Sequence, residues 1–310
     1  MAETTENKRI DEPTGTETVG HEWDGIEELN TPLPRWWLWT FYATVIWGIL
    51  YTFAYPAWPG ITGYTKGLLG WSSEEQLAEE LAEERERRAP VLRRLAATPI
   101  ERIPADAELL RFAQVGGESL YKTYCVQCHG TGAAGGIGYP NLNDDEWLWG
   151  GDLKAIEYTL EHGIRNPEHD ETRQSMMPIF GNDGLLTEQQ INDVTAHVRA
   201  ISGQDPANEA SARGAAIFQQ QCATCHMADG SGDREQGAPN LTDAIWLYGG
   251  DVQSIRETLW NSRFGVMPRF GEILNPAEIK MLSVYVHSLG GGENFVEVAE
   301  NPAVDVDERP

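Results

Sequence analysis

The chain has 310 residues, 41% of them hydrophobic, and a formal net charge of −25 at pH 7. This length and composition fit a globular protein with two domains of ordinary size and additional segments. The charge excludes nucleic acid as a partner, because its phosphates would be repelled, and it favours basic partners.

The first predicted element is a membrane anchor. Residues 36–55 are a run without a charge, long enough to cross a bilayer as a helix. Aromatic residues crowd both ends of this run, as in an interfacial belt: Trp36, Trp37, Trp39, Tyr51, Tyr55 and Trp58. A cleaved signal peptide is the alternative, but an acidic segment precedes the run and residues 56–59 are a poor cleavage site. The sequence therefore predicts a tail over residues 1–35 and a transmembrane helix over 36–56, in contact with membrane lipid.

A linker is predicted directly after the transmembrane helix, and a tail is predicted at the C-terminal end of the chain. Residues 57–107 form the linker, in which the Glu- and Arg-rich segment 72–88 indicates a solvent-facing helix capped by Ser72 or Ser73. Residues 292–310 are acidic and are predicted to be a loose C-terminal tail.

All four cysteines fall in two C-x-x-C-H motifs, the covalent attachment signature of c-type haem. The two thiols add to the porphyrin vinyl groups, and the adjacent imidazole lies under the iron. A thioredoxin-like redox pair or a zinc site is the alternative. Redox pairs rarely carry the trailing His, and a zinc site would not leave each pair with its own. The prediction is two covalently bound haems c, on Cys125, Cys128, Cys222 and Cys225, with His129 and His226 as iron ligands.

The two motifs belong to an internal repeat. Residues 140–160 match residues 239–259, and each copy contains a helix, C-x-x-C-H, a glycine-rich loop, a second helix, Met-Pro and a closing helix. This pattern predicts an all-α fold, with one N-terminal transmembrane helix followed by two tandem cytochrome c domains at residues 108–203 and 208–291.

The closing helices carry capping signals. They are predicted at residues 187–202 and 275–290, with Thr187 and Asn275 as N-caps and a Gln or Glu three residues further on.

The repeat also indicates the second iron ligands. The sequence MPIFG matches MPRFG, so Met177 corresponds to Met267, whereas Met176 corresponds to Val266. A thioether is a soft ligand that suits iron in a pocket of low dielectric constant and raises the reduction potential. Met177 and Met267 are therefore predicted as the second axial ligands.

Two histidines are alternative second ligands. His162 aligns with Asn261, and His169 lies in a nine-residue insertion that only the first copy contains. A surface or loop position is the favoured interpretation for both.

The N-terminal run at residues 20–59, with GHEWDGIEELN followed by PLPRWW, resembles the diheme subunit III of cbb3-type cytochrome c oxidases, the FixP/CcoP family. The resemblance implies partners: a haem-copper catalytic subunit, a monohaem cytochrome c subunit and a basic cytochrome c that donates electrons. Covalent haem attachment takes place outside the bacterial cytoplasmic membrane. This places the haem domains in the periplasm and the N-terminus in the cytoplasm, across a single pass of the inner membrane.

The function implied by the resemblance is electron relay from a periplasmic or membrane-tethered cytochrome c to the oxygen-reducing core, with no catalytic site on this chain itself. Two alternatives stay open at this point. One is a cytochrome subunit that accepts electrons from a periplasmic dehydrogenase. The other is a diheme enzyme in which one haem lacks its methionine and binds a substrate.

Overall fold

The structure is a computed structural model that describes residues 8–294. The chain divides into two compact units between Arg87 and Arg88. The predicted acidic tail lies outside the described residues from residue 295 onward, as do the first seven residues of the N-terminal tail. The first unit contains strands β1 (Ile10–Asp11), β2 (Thr16–Trp23) and β3 (Ile26–Leu29) and helix α1 (Arg35–Ala54), and the division falls within helix α2 (Ser73–Ala97).

The small sheet was not predicted. It is antiparallel in the order β1-β2-β3. The turn between β2 and β3 is Asp24-Gly25, and both residues have positive φ angles of 49° and 85°. Asp-Gly in this conformation forms a tight hairpin turn whose twist matches that of the flanking strands. The hairpin signal was therefore present within the acidic tail, although the rest of the described chain is mainly helical.

Helix α1 occupies the predicted anchor. It has 20 residues, none of them buried within the protein, and it would extend about 30 Å, the thickness of a bilayer core. Within residues 8–294 it is the one helix long and apolar enough to cross a membrane. It ends at Ala54, just before the predicted boundary, because Tyr55 is extended and Pro56 follows it.

Helix α2 confirms the charged helix of the linker but is longer than predicted. Glu74 and Glu75 lie in its first turn, where the helix dipole favours acids. Its last two turns contain Leu95, which is fully buried against Ile100 and Ile103. The end of the predicted linker is thus part of a hydrophobic core rather than a spacer.

Up to residue 294, the second unit contains, after the end of α2, a 3₁₀ helix and eight further α-helices. They are the 3₁₀ helix Ile100–Ala105, α3 (Ala107–Tyr124), α4 (Val126–His129), α5 (Leu153–His162), α6 (Glu188–Ile201), α7 (Glu209–Gln221), α8 (Ala223–His226), α9 (Val252–Asn261) and α10 (Pro276–His287). The predicted N-caps of the closing helices α6 and α10 are confirmed, since Thr187 and Asn275 both form complete capping boxes.

The helices do not pair in the order that a simple tandem arrangement implies. Helices α3 and α5 pack against α10, whereas α6 packs against α7 and α9. One core therefore joins Tyr121 and Leu160 of the first copy to Leu282 of the second. The other joins Val194 of the first copy to Phe218 of the second. The predicted domains 108–203 and 208–291 follow one another in sequence, but in space they exchange their closing segments.

Glycines allow both helix crossings to be close. A Cβ atom on Gly117 in α3 would overlap the carbonyl oxygen of Met281 in α10. A Cβ atom on Gly214 in α7 would overlap the carbonyl oxygen of Asp193 in α6. The two glycines occupy equivalent positions of the repeat, so the same backbone contact is made twice, each time between different copies.

Candidate haem sites

The first candidate site is a cavity of about 700 Å³, its open mouth included, which we name the His129 cavity. Its lining includes Cys125, His129, Trp147, Trp149, Leu160 and Met267. Cys125 ends α3, and the one-turn helix α4 places His129 a single turn later through a hydrogen bond from its N–H to the Cys125 carbonyl oxygen at 2.9 Å. Cys128 is exposed beside this turn.

The second candidate site is a cavity of about 1290 Å³, again including its open mouth, which we name the His226 cavity. Its lining includes Met177, Cys222, Cys225, His226, Trp246 and Tyr248. The paired aromatic residues after the glycine-rich loops line these cavities: Trp147 and Trp149 in the first copy, and Trp246 and Tyr248 in the second.

Both histidines are oriented by a backbone carbonyl. His129 Nδ1 lies 3.0 Å from the Pro140 oxygen, and His226 Nδ1 lies 3.0 Å from the Pro239 oxygen. A carbonyl can only accept, so Nδ1 carries the proton and Nε2 keeps its lone pair for a metal. Burial lowers the pKa of both imidazoles, which favours the neutral form that binds iron.

Each methionine lines the cavity that contains the histidine of the other copy. Met267 lines the His129 cavity and Met177 lines the His226 cavity. Met267 is held by two backbone hydrogen bonds with Ile164, both 3.0 Å long. The carbonyl of Met177 accepts a hydrogen bond of 2.6 Å from Ser262 Oγ. The geometry therefore pairs His129 with Met267 and His226 with Met177.

The adjacent methionines Met176 and Met177 differ in their exposure to solvent. Met176 and its repeat partner Val266 are 64% and 58% exposed. Met177 is partly buried and packs against the core that includes Cys222. Met176 also borders the His226 cavity, so the assignment of Met177 as the iron ligand stays a prediction, supported by its repeated and packed position.

The cysteines do not favour the redox or zinc alternatives. Burial raises the pKa of the Cys125 and Cys222 thiols to about 11, whereas a redox-active pair needs a stabilised thiolate. Across residues 8–294, neither motif places three possible zinc ligands within reach of one another. Attachment to a porphyrin is the chemistry that uses both cysteines and the histidine together.

The chemistry of the two linings fits a porphyrin. Each cavity combines apolar side chains with a neutral histidine, a methionine thioether and a cysteine of the adjacent C-x-x-C-H motif. Trp149 Nε1 is buried without a hydrogen-bond partner among the described residues, but it lies against Gly237 and does not face the His129 cavity. The fit to a haem c therefore rests on the apolar walls, the histidine, the cysteine and the thioether.

His162 and His169 lie side by side but line neither cavity. His162 Nδ1 is 2.8 Å from His169 Nε2, and Arg269 Nη1 lies 3.0 Å from His169 Nδ1. Both ring nitrogens of His169 are therefore engaged with other side chains. Glu171 completes a cluster of possible metal ligands, but the arginine donor occupies the nitrogen that would have to carry the proton if a metal were bound. Their use as haem ligands is not favoured.

Two arginines beside the cavities were not predicted from the sequence. Arg173 donates to Thr159 Oγ1 at 2.9 Å, and Arg263 donates to Thr258 Oγ1 at 3.0 Å. Their guanidinium groups lie 5.2 Å and 4.8 Å from the ring centres of Trp149 and Tyr248. Each arginine is the fourth residue before an axial methionine candidate, so the repeat alignment contained this signal.

These arginines anchor two non-helical segments, residues 173–177 and 263–267, that cross between the cavities and that we name the crossing strands. Arg173 binds α5, beside the His129 cavity, and the strand then runs to Met177 in the His226 cavity. Arg263 binds α9, beside the His226 cavity, and its strand runs to Met267 in the His129 cavity. Each crossing strand is thus fixed at the point where it leaves its own copy.

Three family models match the chain in order. Residues 15–62 match the N-terminal domain of cytochrome oxidase-cbb3, FixP. Residues 115–202 match cytochrome c, and residues 209–286 match cytochrome C oxidase, cbb3-type, subunit III. The cytochrome c matches imply haem c binding, and the first match covers β2, β3 and α1 but not β1.

Curated relatives are similar over almost their whole length. The Cbb3-type cytochrome c oxidase subunit CcoP of Cereibacter sphaeroides is 53% identical over 276 residues, which are 89% of this chain and 95% of the relative. The Cbb3-type cytochrome c oxidase subunit FixP of Azorhizobium caulinodans is 50% identical over 285 residues, 92% of this chain and 96% of the relative. FixP of Sinorhizobium medicae is 48% identical over 287 residues, 93% of this chain and 99% of the relative.

Proposed function

Because the chain belongs to the CcoP/FixP family of cbb3-type cytochrome c oxidase subunits, we propose that it is the electron-relay subunit of such an oxidase and carries two haems c. One haem would be held by Cys125, Cys128, His129 and Met267. The other would be held by Cys222, Cys225, His226 and Met177. A covalently bound haem c supplies an iron centre that takes up and releases one electron at a time.

The observation that carries the relay proposal is the wall between the two cavities. Leu148 lines both cavities, so the two cofactors would be separated by a single residue there. Beside it, the Trp149 ring lines the His129 cavity and fills the space in which Gly237, on the wall of the His226 cavity, has no side chain. Residues of this chain would therefore hold two one-electron centres close together, with only a thin protein wall between them, which supports the relay proposal.

The family membership supports a proposal for the direction of electron flow and for the partners. We propose that electrons arrive from a basic cytochrome c and leave through the monohaem subunit to the haem-copper subunit. Helix α1 would cross the inner membrane, with the N-terminus in the cytoplasm and the haem domains in the periplasm. An enzyme with one open haem is not favoured, since each cavity has its own methionine. A dehydrogenase partner is not favoured, since the relatives are named as oxidase subunits.

The haem content tests this proposal. The purified full-length chain should give two haems per chain in a pyridine haemochrome assay, because each motif supplies two thiols and a histidine. Replacing Cys222 and Cys225 with serine should leave one haem per chain. One haem in the unchanged protein, or a free thiol titrating after denaturation, would contradict it. A haem-copper subunit should also copurify from detergent-solubilised membranes.

The acidic surface gives a second expectation. Residues 57–310 carry 39 Asp and Glu against 20 Lys and Arg, a net charge of −19. If this field steers a basic cytochrome c, the second-order rate of haem reduction should fall steeply as ionic strength rises. Stopped-flow reduction over a salt series measures this. A rate independent of salt would contradict electrostatic steering and indicate that the charge serves solubility or that the donor is tethered alongside.

A further inference from the structure

Arg165 lies where the two crossing strands, each of which leads to a candidate methionine ligand, pass each other. It follows α5 with a φ angle of 52°, in the left-handed region that residues other than glycine rarely occupy. Its backbone N–H donates to the Arg173 carbonyl oxygen at 2.8 Å, and its neighbour Ile164 pairs with Met267. Backbone strain of this kind persists where the surrounding structure fixes it, often at functional sites.

The guanidinium group of Arg165 bonds to both strands at once. Its Nε donates to the Gly265 carbonyl oxygen at 2.6 Å, and its Nη1 donates to the Ser175 carbonyl oxygen at 3.1 Å. Gly265 precedes Met267 by two residues, and Ser175 precedes Met177 by two residues. A single planar group therefore connects the two strands just before each candidate ligand.

The charge of this group is not neutralised by a carboxylate. Within the described part of the chain, no acidic side chain forms an ion pair with Arg165, and its guanidinium lies 5.8 Å from the Phe264 ring centre. Burial lowers the pKa of Arg165, but a guanidinium stays protonated in proteins. The backbone carbonyls are thus the partners of a half-buried cation on the wall of the His226 cavity, and hydrogen bonds to a charged donor are the stronger kind.

The second copy has no counterpart of Arg165. The residue belongs to the insertion between His162 and Arg173, a stretch where the second copy has only Ser262 between Asn261 and Arg263. The Ser262 hydroxyl donates to the Met177 carbonyl, and its backbone N–H donates to Thr258 at the end of α9. The insertion thus gives the first copy a side chain that contacts both crossing strands.

We propose that Arg165 is a positioning residue that couples the two axial methionines, so that its loss weakens the iron–sulfur bond of both haems together. The proposal rests on the methionine ligation put forward under Proposed function. Without the hydrogen bonds from Arg165 to Gly265 and Ser175, each strand would lose the bond that holds its backbone two residues before the ligand. Each thioether would then leave the iron more readily.

The test compares imidazole binding to the ferric haems of the full-length, detergent-solubilised protein. Imidazole must displace the methionine, and the loss of the sulfur-to-iron absorption reports it. Arg165→Gln is made in Met177→Leu and Met267→Leu backgrounds, each of which keeps one thioether. We expect imidazole affinity to rise about tenfold at both haems, as for the loss of one charged hydrogen bond. Arg165→Lys should raise the imidazole affinity similarly, since an ammonium group lacks the planar pair of N–H donors that reaches both carbonyls. The control Arg111→Gln, an exposed arginine on α3, should change neither.

Three results would overturn the coupling. The first is a change at one haem only. The second is an imidazole affinity that is unchanged in Arg165→Lys but raised in Arg165→Gln. The positive charge, and not the two hydrogen bonds of the planar guanidinium group, would then be responsible. The third is no change in either Arg165 variant. A chain that shows no sulfur absorption before any Arg165 substitution would refute methionine ligation itself, and the two failures are thereby distinguished. Should Arg165→Gln fail to incorporate haem, the Lys variant still decides.

Discussion

Replacing Met267 with leucine should abolish the sulfur-to-iron absorption of the haem on Cys125 and Cys128 and lower its reduction potential. The expected shift is on the order of 100 mV, within the range of about 0.8 V that axial ligands set. Met177→Leu should do the same to the haem on Cys222 and Cys225. The reason is that each methionine lines the cavity of the other copy's histidine.

The two absorptions overlap, so the assignment needs chains with one haem. In a chain with Cys222 and Cys225 replaced by serine, Met267→Leu should remove the remaining sulfur absorption, and Met177→Leu should leave it intact. Met176→Leu is the matched control, since Met176 is mostly exposed. If Met177→Leu removed the absorption in that chain, the ligands would be paired within each copy and the exchanged arrangement would be refuted.

Much of the site could be read from the sequence because its chemistry is local. The spacing of C-x-x-C-H within one helical turn gives the attachment site without knowledge of the fold. The caps at Thr187 and Asn275 could be predicted because the capping box spans only four residues. The choice of Met177 over Met176 followed from the repeat alone, and the exposure of Met176 agrees with it.

The exchange of closing segments could not be predicted from the repeat. The two copies have the same apolar pattern, so α6 and α10 could each cover either core. A repeat identifies equivalent segments but does not indicate which copy each closing helix packs against. Two other features of the chain do indicate it. The connection between α6 and α7 is residues 202–208, and helices joined by a short loop usually pack against each other.

The second feature is a pair of side chains at the helix crossings. Asp193 in α6 is buried and accepts two hydrogen bonds from Arg213 in α7, at 3.0 Å and 2.7 Å, and this contact holds the pKa of the carboxyl below its usual range. The equivalent residues at the other crossing are Gly116 and Met281, which also meet. Pairing within each copy would place Asp193 opposite Gly116, leaving a buried carboxylate without its cation, which is strongly unfavourable.

Splitting the chain between residues 203 and 208 should therefore give two pieces that cannot complete a haem site alone. Residues 88–203 contain His129 and Met177, which line different cavities, and they lack α10, which covers the core around Tyr121. Residues 208–294 lack α6, which covers the core around Phe218. Each piece exported to the periplasm by itself should show no sulfur-to-iron absorption and should be degraded, because half of each hydrophobic core would be exposed.

Exported together, the two pieces should assemble and recover both absorptions, since the exchanged contacts do not require the connecting loop. Arg213→Asp in the second piece should prevent this recovery by placing two carboxylates at the α6–α7 crossing. Arg111→Asp, a charge reversal of an exposed arginine in the first piece, should allow it. Copurification and the visible spectrum measure assembly. A first piece that binds haem with methionine ligation on its own would mean that α6 can close its own copy, and the pairing of Asp193 with Arg213 would then not select the exchanged fold.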